Sequence, residues 1–468
     1  MTLTQDEQID QLGRYKFGWS DTDTAGATAK RGLSEDVVRD ISARKDEPEW
    51  MQASRLAGYA AFAEAPMPSV RSEDWRYTDI GAVLKLKALA LAEEVRPAST
   101  VQELPEALLA TVAESRTVAG RLVQRDGSVA LREMPEDLRA QGVVFTSLES
   151  AVREHPELVQ KYLGTAVTPE DGKFAAMNAA FWTGGLFLYV PRNVRVQAPF
   201  RSYRWISEAG SSVFPRVLVV AEAGAELSLV DEAVSPDFDR QTLAIGAVEV
   251  FAEEGARVTC VSVQNWGAGV VNLSTDRVVA GRDARVTTLG LALGGDLSRS
   301  DIRCRLTRPG SHVDLLGLYI ADGSQHFDHE TLQDHVSPHA SSNLLFKGAL
   351  RDRGRSVFRG LIRVHPGAQR TDAYQTNRNL LLSSEARADS LPNLEIQADD
   401  VRCSHAATVG QLDEEEVFYL LSRGIPKREA VRLVVFGFFG EVLVQLPLDE
   451  VREELVRAVE RKLGNRGS

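Results

Sequence analysis

Apolar residues change their spacing twice along this chain. To about residue 165 they recur at helical intervals, in Ala-rich pieces such as Glu47 to Ala65 and Leu104 to Glu114. From there to about residue 408 the period shortens to two. Val, Ile, Leu, Thr and Gly dominate, and short alternating runs are broken by turns. After residue 409 the helical interval returns. Asp413 and Glu416 read as a helix N-cap and its partner, with Gly424 as the stop. Pro426 opens a second helix through Val431, Val434, Val435 and Phe438, and Val451, Leu455, Val459 and Leu463 form one stripe of a third. The pattern predicts a mainly helical N-terminal domain (1–165), a β core (166–408) and a C-terminal helical domain (409–468).

Within the β region one phrase recurs: Glu222-Ala-Gly-Ala-Glu-Leu-Ser-Leu229, Glu253-Glu-Gly-Ala-Arg-Val-Thr-Cys260, Gly281-Arg-Asp-Ala-Arg-Val-Thr-Thr288 and Arg308-Pro-Gly-Ser-His-Val-Asp-Leu315. Looser echoes follow at Asp352 to Val357, His365 to Ala368 and Ser384 to Asp389. The four clear copies begin about 27 to 31 residues apart, and each is a turn followed by a short strand. One such unit cannot bury its apolar face, so the units must stack. A parallel β-helix fits best. A β-sandwich fits less well, because the Asn-Gly and Asp-Gly turns of antiparallel hairpins are nearly absent from this stretch, Asp322-Gly323 being the main exception.

The 468 residues are 43% hydrophobic and 26% charged, an ordinary globular composition. The formal net charge of -12 disfavours nucleic acid and anionic membranes as partners. The start, MTLTQDEQIDQLGRY, carries no secretory pattern, and the apolar run Leu433 to Leu446 contains Glu441 and falls short of the ~20 residues that span a bilayer. A cytoplasmic protein is expected. Three scattered cysteines, Cys260, Cys304 and Cys403, suit a reducing compartment.

Two stretches hold candidate chemistry. His326, His329, His335 and His339 crowd one segment among acids, and a metal site or a ladder of imidazoles along the solenoid face are both open readings, with Phe327 and Leu332 expected to point inward. Stacked coils could also bring His312, His335 and His365 together. In Val401-Arg-Cys-Ser-His405, Cys403 and His405 leave one face of a strand and could share a ligand, or pack as a small hydrophobe and a core histidine. The Arg71 to Tyr77 cluster mixes arginines with acids and reads as a packing feature rather than a nucleic-acid patch.

The run from Glu395 through Cys403-Ser-His405 to Phe418-Tyr-Leu-Leu-Ser-Arg-Gly-Ile425 closely resembles the SufB/SufD family of iron-sulfur cluster assembly proteins, and within it the SufD branch. Supporting matches are Gln375-Thr-Asn-Arg-Asn-Leu-Leu-Leu-Ser383, Val357-Phe-Arg-Gly-Leu-Ile362, Met177-Asn-Ala-Ala-Phe-Trp182 and Glu73-Asp-Trp-Arg-Tyr-Thr78. The resemblance covers most of residues 70 to 440; the first ~65 residues match nothing usable. It implies a right-handed parallel β-helix between helical domains, in a non-catalytic subunit of the SUF complex that pairs with a SufB paralogue and binds the ATPase SufC. It further implies that His405, with Cys403 beside it, faces a transient iron or nascent cluster at the SufB contact. Phe418, Tyr419, Arg423, Gly424 and Ile425 would belong to the helical end that SufC grips, and the chain alone could form a homodimer. Two departures from SufB, Cys-Ser-His in place of a Glu-His-Glu-type segment and Leu380-Leu-Leu-Ser383 in place of the assembly cysteine, argue against a complete scaffold. The absence of a Gly-x-x-x-x-Gly-Lys-Ser/Thr loop predicts no ATP hydrolysis by this chain. The rival readings are a polysaccharide-active β-helix enzyme and a β-helical scaffold without metal chemistry.

Overall fold

The computed structural model describes residues 32–84, 90–92, 108, 109, 112 and 118–464. Sixteen strands wind into a solenoid of about eight turns. In chain order they are β1 (Gly185–Val190), β2 (Phe200–Trp205), β3 (Arg216–Ala221), β4 (Glu226–Val234), β5 (Thr242–Ala252), β6 (Arg257–Asn265), β7 (Val270–Ala280) and β8 (Arg285–Ala292). There follow β9 (Leu297–Leu306), β10 (His312–Ala321), β11 (His326–His335), β12 (Ser341–Leu350), β13 (Arg355–Val364), β14 (Asp372–Leu381), β15 (Arg387–Ile396) and β16 (Arg402–Gln411). Odd strands stack in one sheet and even strands in the other, every neighbouring pair parallel. The recurring phrase is the corner between the two sheets. Its third position lies in the left-handed region, filled by Gly224, Gly255, Asp283 and Gly310, and in later coils by His339 and Arg370. The small residue after it, Ala225, Ala256 or Ala284, is fully buried, and the next strand hydrogen-bonds to it from the coil above.

Alternate residues of each strand fill the lumen, among them Leu188, Val219, Leu229, Val250, Val258, Leu315, Leu344 and Phe358. The opposite faces need separate cover. On the odd sheet, Leu218, Val220, Leu243, Ile245 and Leu273 pack under the helices Glu35–Arg44, Glu49–Glu64 and Lys173–Phe181 through Val37, Ile41, Phe62, Phe174 and Phe181. On the even sheet, Val261, Leu289, Leu291, Leu316 and Leu318 lie under the helices Lys427–Leu443 and Asp449–Gly464 through Val435, Phe439, Val442, Leu455 and Val459. The C-terminal helices thus lie along the solenoid's flank rather than on its end. They are fastened there by Arg201, fully buried, which donates to Glu454 at 2.7 and 3.1 Å.

The N-terminal region is less helical than its spacing suggests. A hairpin, Gly120–Arg125 with Ser128–Glu133, extends the even sheet past β2, and Val144–Ser147 runs antiparallel to β1. The hairpin turns at Asp126-Gly127, both at positive φ, the Asp-Gly signal expected of such a turn. Asp322-Gly323, by contrast, is a coil corner joining strands of different sheets. Leu104 to Glu114 falls largely outside the described residues. Among the described residues no helix is long and apolar enough to cross a membrane.

Candidate functional site

Among the described residues nothing pairs with the solenoid's C-terminal end. β15 and β16 each have a neighbour on one side only, and most of their residues are exposed or half-buried. In β16 the N–H of Arg402 donates to Thr371 and that of Leu412, just beyond the strand, to Leu381, so the alternate N–H groups of Cys403, His405, Ala407 and Val409 point away from β14. In β15 the outward set includes Pro392, which has no N–H to offer. The bare rim also exposes Ile396 and Val409, and β14 beneath it exposes Tyr374.

Cys403 and His405 share the inward face of β16, in register with buried Ala373 and Gln375 of β14. Cys403 packs against Ile362, Val364, Ala373 and Leu394, and its thiol is pushed up by that burial and then by the Asp372 carboxylate. His405 points toward the lumen yet is exposed, because no further coil covers it. Below it the lumen turns polar. Tyr319 donates to Asn379 at 2.7 Å, Asn379 to Asn377 at 2.8 Å, and Ser390, at the mouth, to the same Asn377 oxygen at 2.8 Å. Sequence reasoning used Gln375, Asn377 and Asn379 only as part of a family match and gave them no role, although they stand at i, i+2 and i+4 of one strand, where the coil before has Leu344, Phe346 and Gly348.

The helix Glu414–Ser422 follows, capped by Asp413, whose side chain accepts from the N–H groups of Glu415 and Glu416. Phe418 is 70% exposed and Tyr419 56%, with the Arg423 guanidinium 5.1 Å from the Tyr419 ring centre. Gly424, at φ +81°, ends the helix, and Ile425 beyond it is half-buried.

The histidine-rich segment is taken apart by the fold. Phe327, His329, Gln333 and His335 face the lumen, whereas Leu332, of opposite parity to Phe327, faces outward, against expectation. His329 lies between the rings of Tyr319 and Phe346, 4.8 and 5.5 Å away, and burial pushes it down to about 4. His335, lowered to about 4 by burial, meets the Ser342 hydroxyl at 2.7 Å. His326 lies on the outer face, 3.1 Å from the Thr78 hydroxyl, which itself donates to Asp328 at 2.5 Å. His339 occupies the left-handed corner position. His312 and His365 engage Ser341 with Asp314, and Asp334, respectively. Around His326 the Arg71 to Tyr77 cluster acts as a staple: Trp75 packs on Phe174 at 5.5 Å and lies 4.1 Å from the Arg299 guanidinium, while Arg359 reaches Asp74 at 3.4 Å.

Among the described residues no three His, Cys, Asp or Glu side chains converge as a metal would require. Cys260 and Cys304 lie within the solenoid, both pushed up to about 12 by burial. A cluster commonly takes four protein ligands, mostly thiolates. The C-terminal end offers one imidazole and one half-buried thiol, fewer donors than such a set.

Comparison with known proteins identifies residues 204–438 with the core domain of SufBD, described as SUF system iron-sulfur cluster assembly, and residues 39–201 with the SufBD N-terminal region. A Staphylococcus saprophyticus protein named as an iron-sulfur cluster assembly SufBD family protein is 31% identical over 449 residues, 94% of this chain and 95% of the relative. A protein of the same designation from Staphylococcus haemolyticus is also 31% identical over 449 residues, and one from Staphylococcus aureus strain USA300 is 30% identical over 446, each with 94% of this chain and 95% of the relative covered.

Proposed function

This chain belongs to the SufBD family of iron-sulfur cluster assembly proteins, and from that premise we propose that it is a non-catalytic subunit which pairs through the open end of its solenoid with a SufB-like paralogue and carries His405 into the junction. The carrying observation is the bare rim itself. Ten-residue strands with unpaired N–H groups are templates for a further strand, and His405 is the fourth residue of the one rim strand without a proline. Iron or the nascent cluster is cargo at this junction. His405 supplies one ligand or transfer group and a thiolate of the paralogue another, which removes the difficulty that this chain lacks a full ligand set. Cys403 contributes less, because its half-buried thiol is held protonated.

The exposed Phe418 and Tyr419, with Arg423, Gly424 and Ile425 at the same helix end, are the surface for a SufC-type ATPase. Large aromatic anchors of this kind suit a desolvated contact. Without the paralogue, two copies of this chain meet by the same rim, so light scattering at micromolar concentration should give a dimer mass; a monomer would count against the rim as a pairing surface.

The direct test is co-expression with candidate SufB and SufC partners, anaerobic purification, and assay of iron and sulfide. His405→Ala should leave the complex assembled and sharply lower its cluster content, with Cys403→Ala milder. Full iron and sulfide in an intact His405→Ala complex would overturn the proposal.

A further inference from the structure

Gln375 is fully buried in the lumen, and among the described residues neither polar atom of its amide has a hydrogen-bond partner. That is unusual for so polar a group, since nearly all buried side-chain amides are paired. Its neighbours make the contrast sharper: Asn377 and Asn379 on the same face of β14 are bonded into the network with Tyr319 and Ser390. Position explains the difference. Along the even sheet the inward column runs Leu315, Leu344, Gln375, His405, so it becomes polar only in the last two coils. The side chain is also held in place. A Cβ at Gly360, on the sheet opposite, would lie 2.4 Å from the Gln375 amide, so the glycine there is what admits it. Gln375 and His405 are register partners on the inward face of adjacent coils, about 4.8 Å apart, and among the described residues the Gln375 amide has no hydrogen-bond partner.

We infer that Gln375 is a positioning residue for His405, its amide holding the imidazole through one shared water at the lumen mouth. A buried water needs two to four polar partners. The Gln375 N–H and carbonyl groups and one ring nitrogen of His405 supply three. That water accepts from the Gln375 amide N–H and from the ring N–H and donates to the Gln375 carbonyl, which fixes the tautomer and turns the other ring nitrogen outward, as the outer partners of metal-binding histidines do. This rests on the reading of His405 as the group that meets the cargo, but the tautomer readout that decides it needs neither partner nor cluster.

The test uses the full chain with 15N-labelled histidine, at a pH of about 8.5 where an ordinary imidazole is neutral, with the His405 signals assigned by their loss in His405→Ala. The wild type should show one tautomer at His405. Gln375→Met, a near-isostere that removes the unpaired amide, should remain folded by circular dichroism and give a tautomer mixture, while Gln375→Glu, which keeps the acceptors, should retain the single tautomer. In the co-expressed complex Gln375→Met should lower cluster content about tenfold. If Gln375→Met fails to fold, Gln375→Asn, too short to reach, gives the same readout. A tautomer mixture in the wild type, or an unchanged single tautomer in folded Gln375→Met or Gln375→Asn, overturns the inference. A changed tautomer with full cluster content would leave Gln375 as the positioning residue and remove His405 from assembly instead.

Discussion

Replacing Asp276 by Asn should stabilise the solenoid, and more so as the pH rises. Asp276 faces the lumen beside a cavity of about 80 Å³ lined by Ser262, Ser274, Ser300, Gly246 and Gly290. Among the described residues its Oδ1 has no hydrogen-bond partner, and its Oδ2 has only the Ser274 hydroxyl at 3.5 Å. Burial pushes its pKa up to about 7; Arg277 and Arg204 pull it down, and Asp301 and Asp231 push it up again. The same acid in an unfolded chain titrates near ~3.9. A raised folded pKa means that the charged form is disfavoured in the folded state. The cost is absent below about pH 4, grows as the unfolded chain releases its proton, and is complete above about pH 7. Integrating between the two pKa values gives about 1–2 kcal/mol at pH 5 and about 4 kcal/mol at pH 8, both upper bounds where water enters the cavity. Asparagine removes this term. Urea unfolding followed by circular dichroism at pH 5 and pH 8 should therefore show the variant ahead at both, by roughly 2 kcal/mol more at pH 8. An equal increment at the two pH values, or a less stable variant at pH 8, refutes the argument.

Two further outcomes follow from the helices. Phe418→Ala with Ile425→Ala should weaken pull-down of the ATPase by ~2 kcal/mol or more while leaving the β-sheet circular dichroism intact; unchanged binding would return that helix end to a purely structural role. Glu454→Ala should strip buried Arg201 of its bidentate partner, leaving only Glu232 at 3.4 Å, and cost about 3 kcal/mol, seen as faster hydrogen exchange across residues 449–464; protection equal to wild type would show that apolar packing alone holds the helix.

The solenoid was legible because its signal is local and repeated. The corner needs a left-handed residue and then a small one, and Gly224-Ala225 and Gly255-Ala256 say so in the sequence. The C-terminal helices were legible for the same reason, through Asp413, Gly424 and the Val451 stripe. What local pattern could not give was the third dimension. Nothing in Val435 or Phe439 states that their partners are Leu289 and Leu316 on a sheet flank rather than the solenoid end. The hairpin around Asp126-Gly127 lay inside a region dominated by helical spacing and was masked by it. The histidine segment misled because density along the chain is not convergence in space: strand parity sends His326 outward and His329 inward, and a corner takes His339. Cys403 and His405 could be placed on one face from spacing alone, but their opposite surroundings, an apolar pocket and an open mouth, depend on β16 being the last coil.

The two ends of the solenoid are built differently, and this sets a limit on growth. At the N-terminal end the sheets finish in antiparallel strands of four and six residues, the latter paired through a register shift between Val123 and Gln124. Short, bulged edges of that kind resist further pairing. At the other end the ten-residue strands β15 and β16 are long and uncovered. A rod with one sticky end and one blunt end can meet only one other rod, end to end. Once two such rods join, both adhesive rims are consumed and only blunt tips remain outward, so the product is a finite pair rather than the fibre that a β-stack with two open ends would seed.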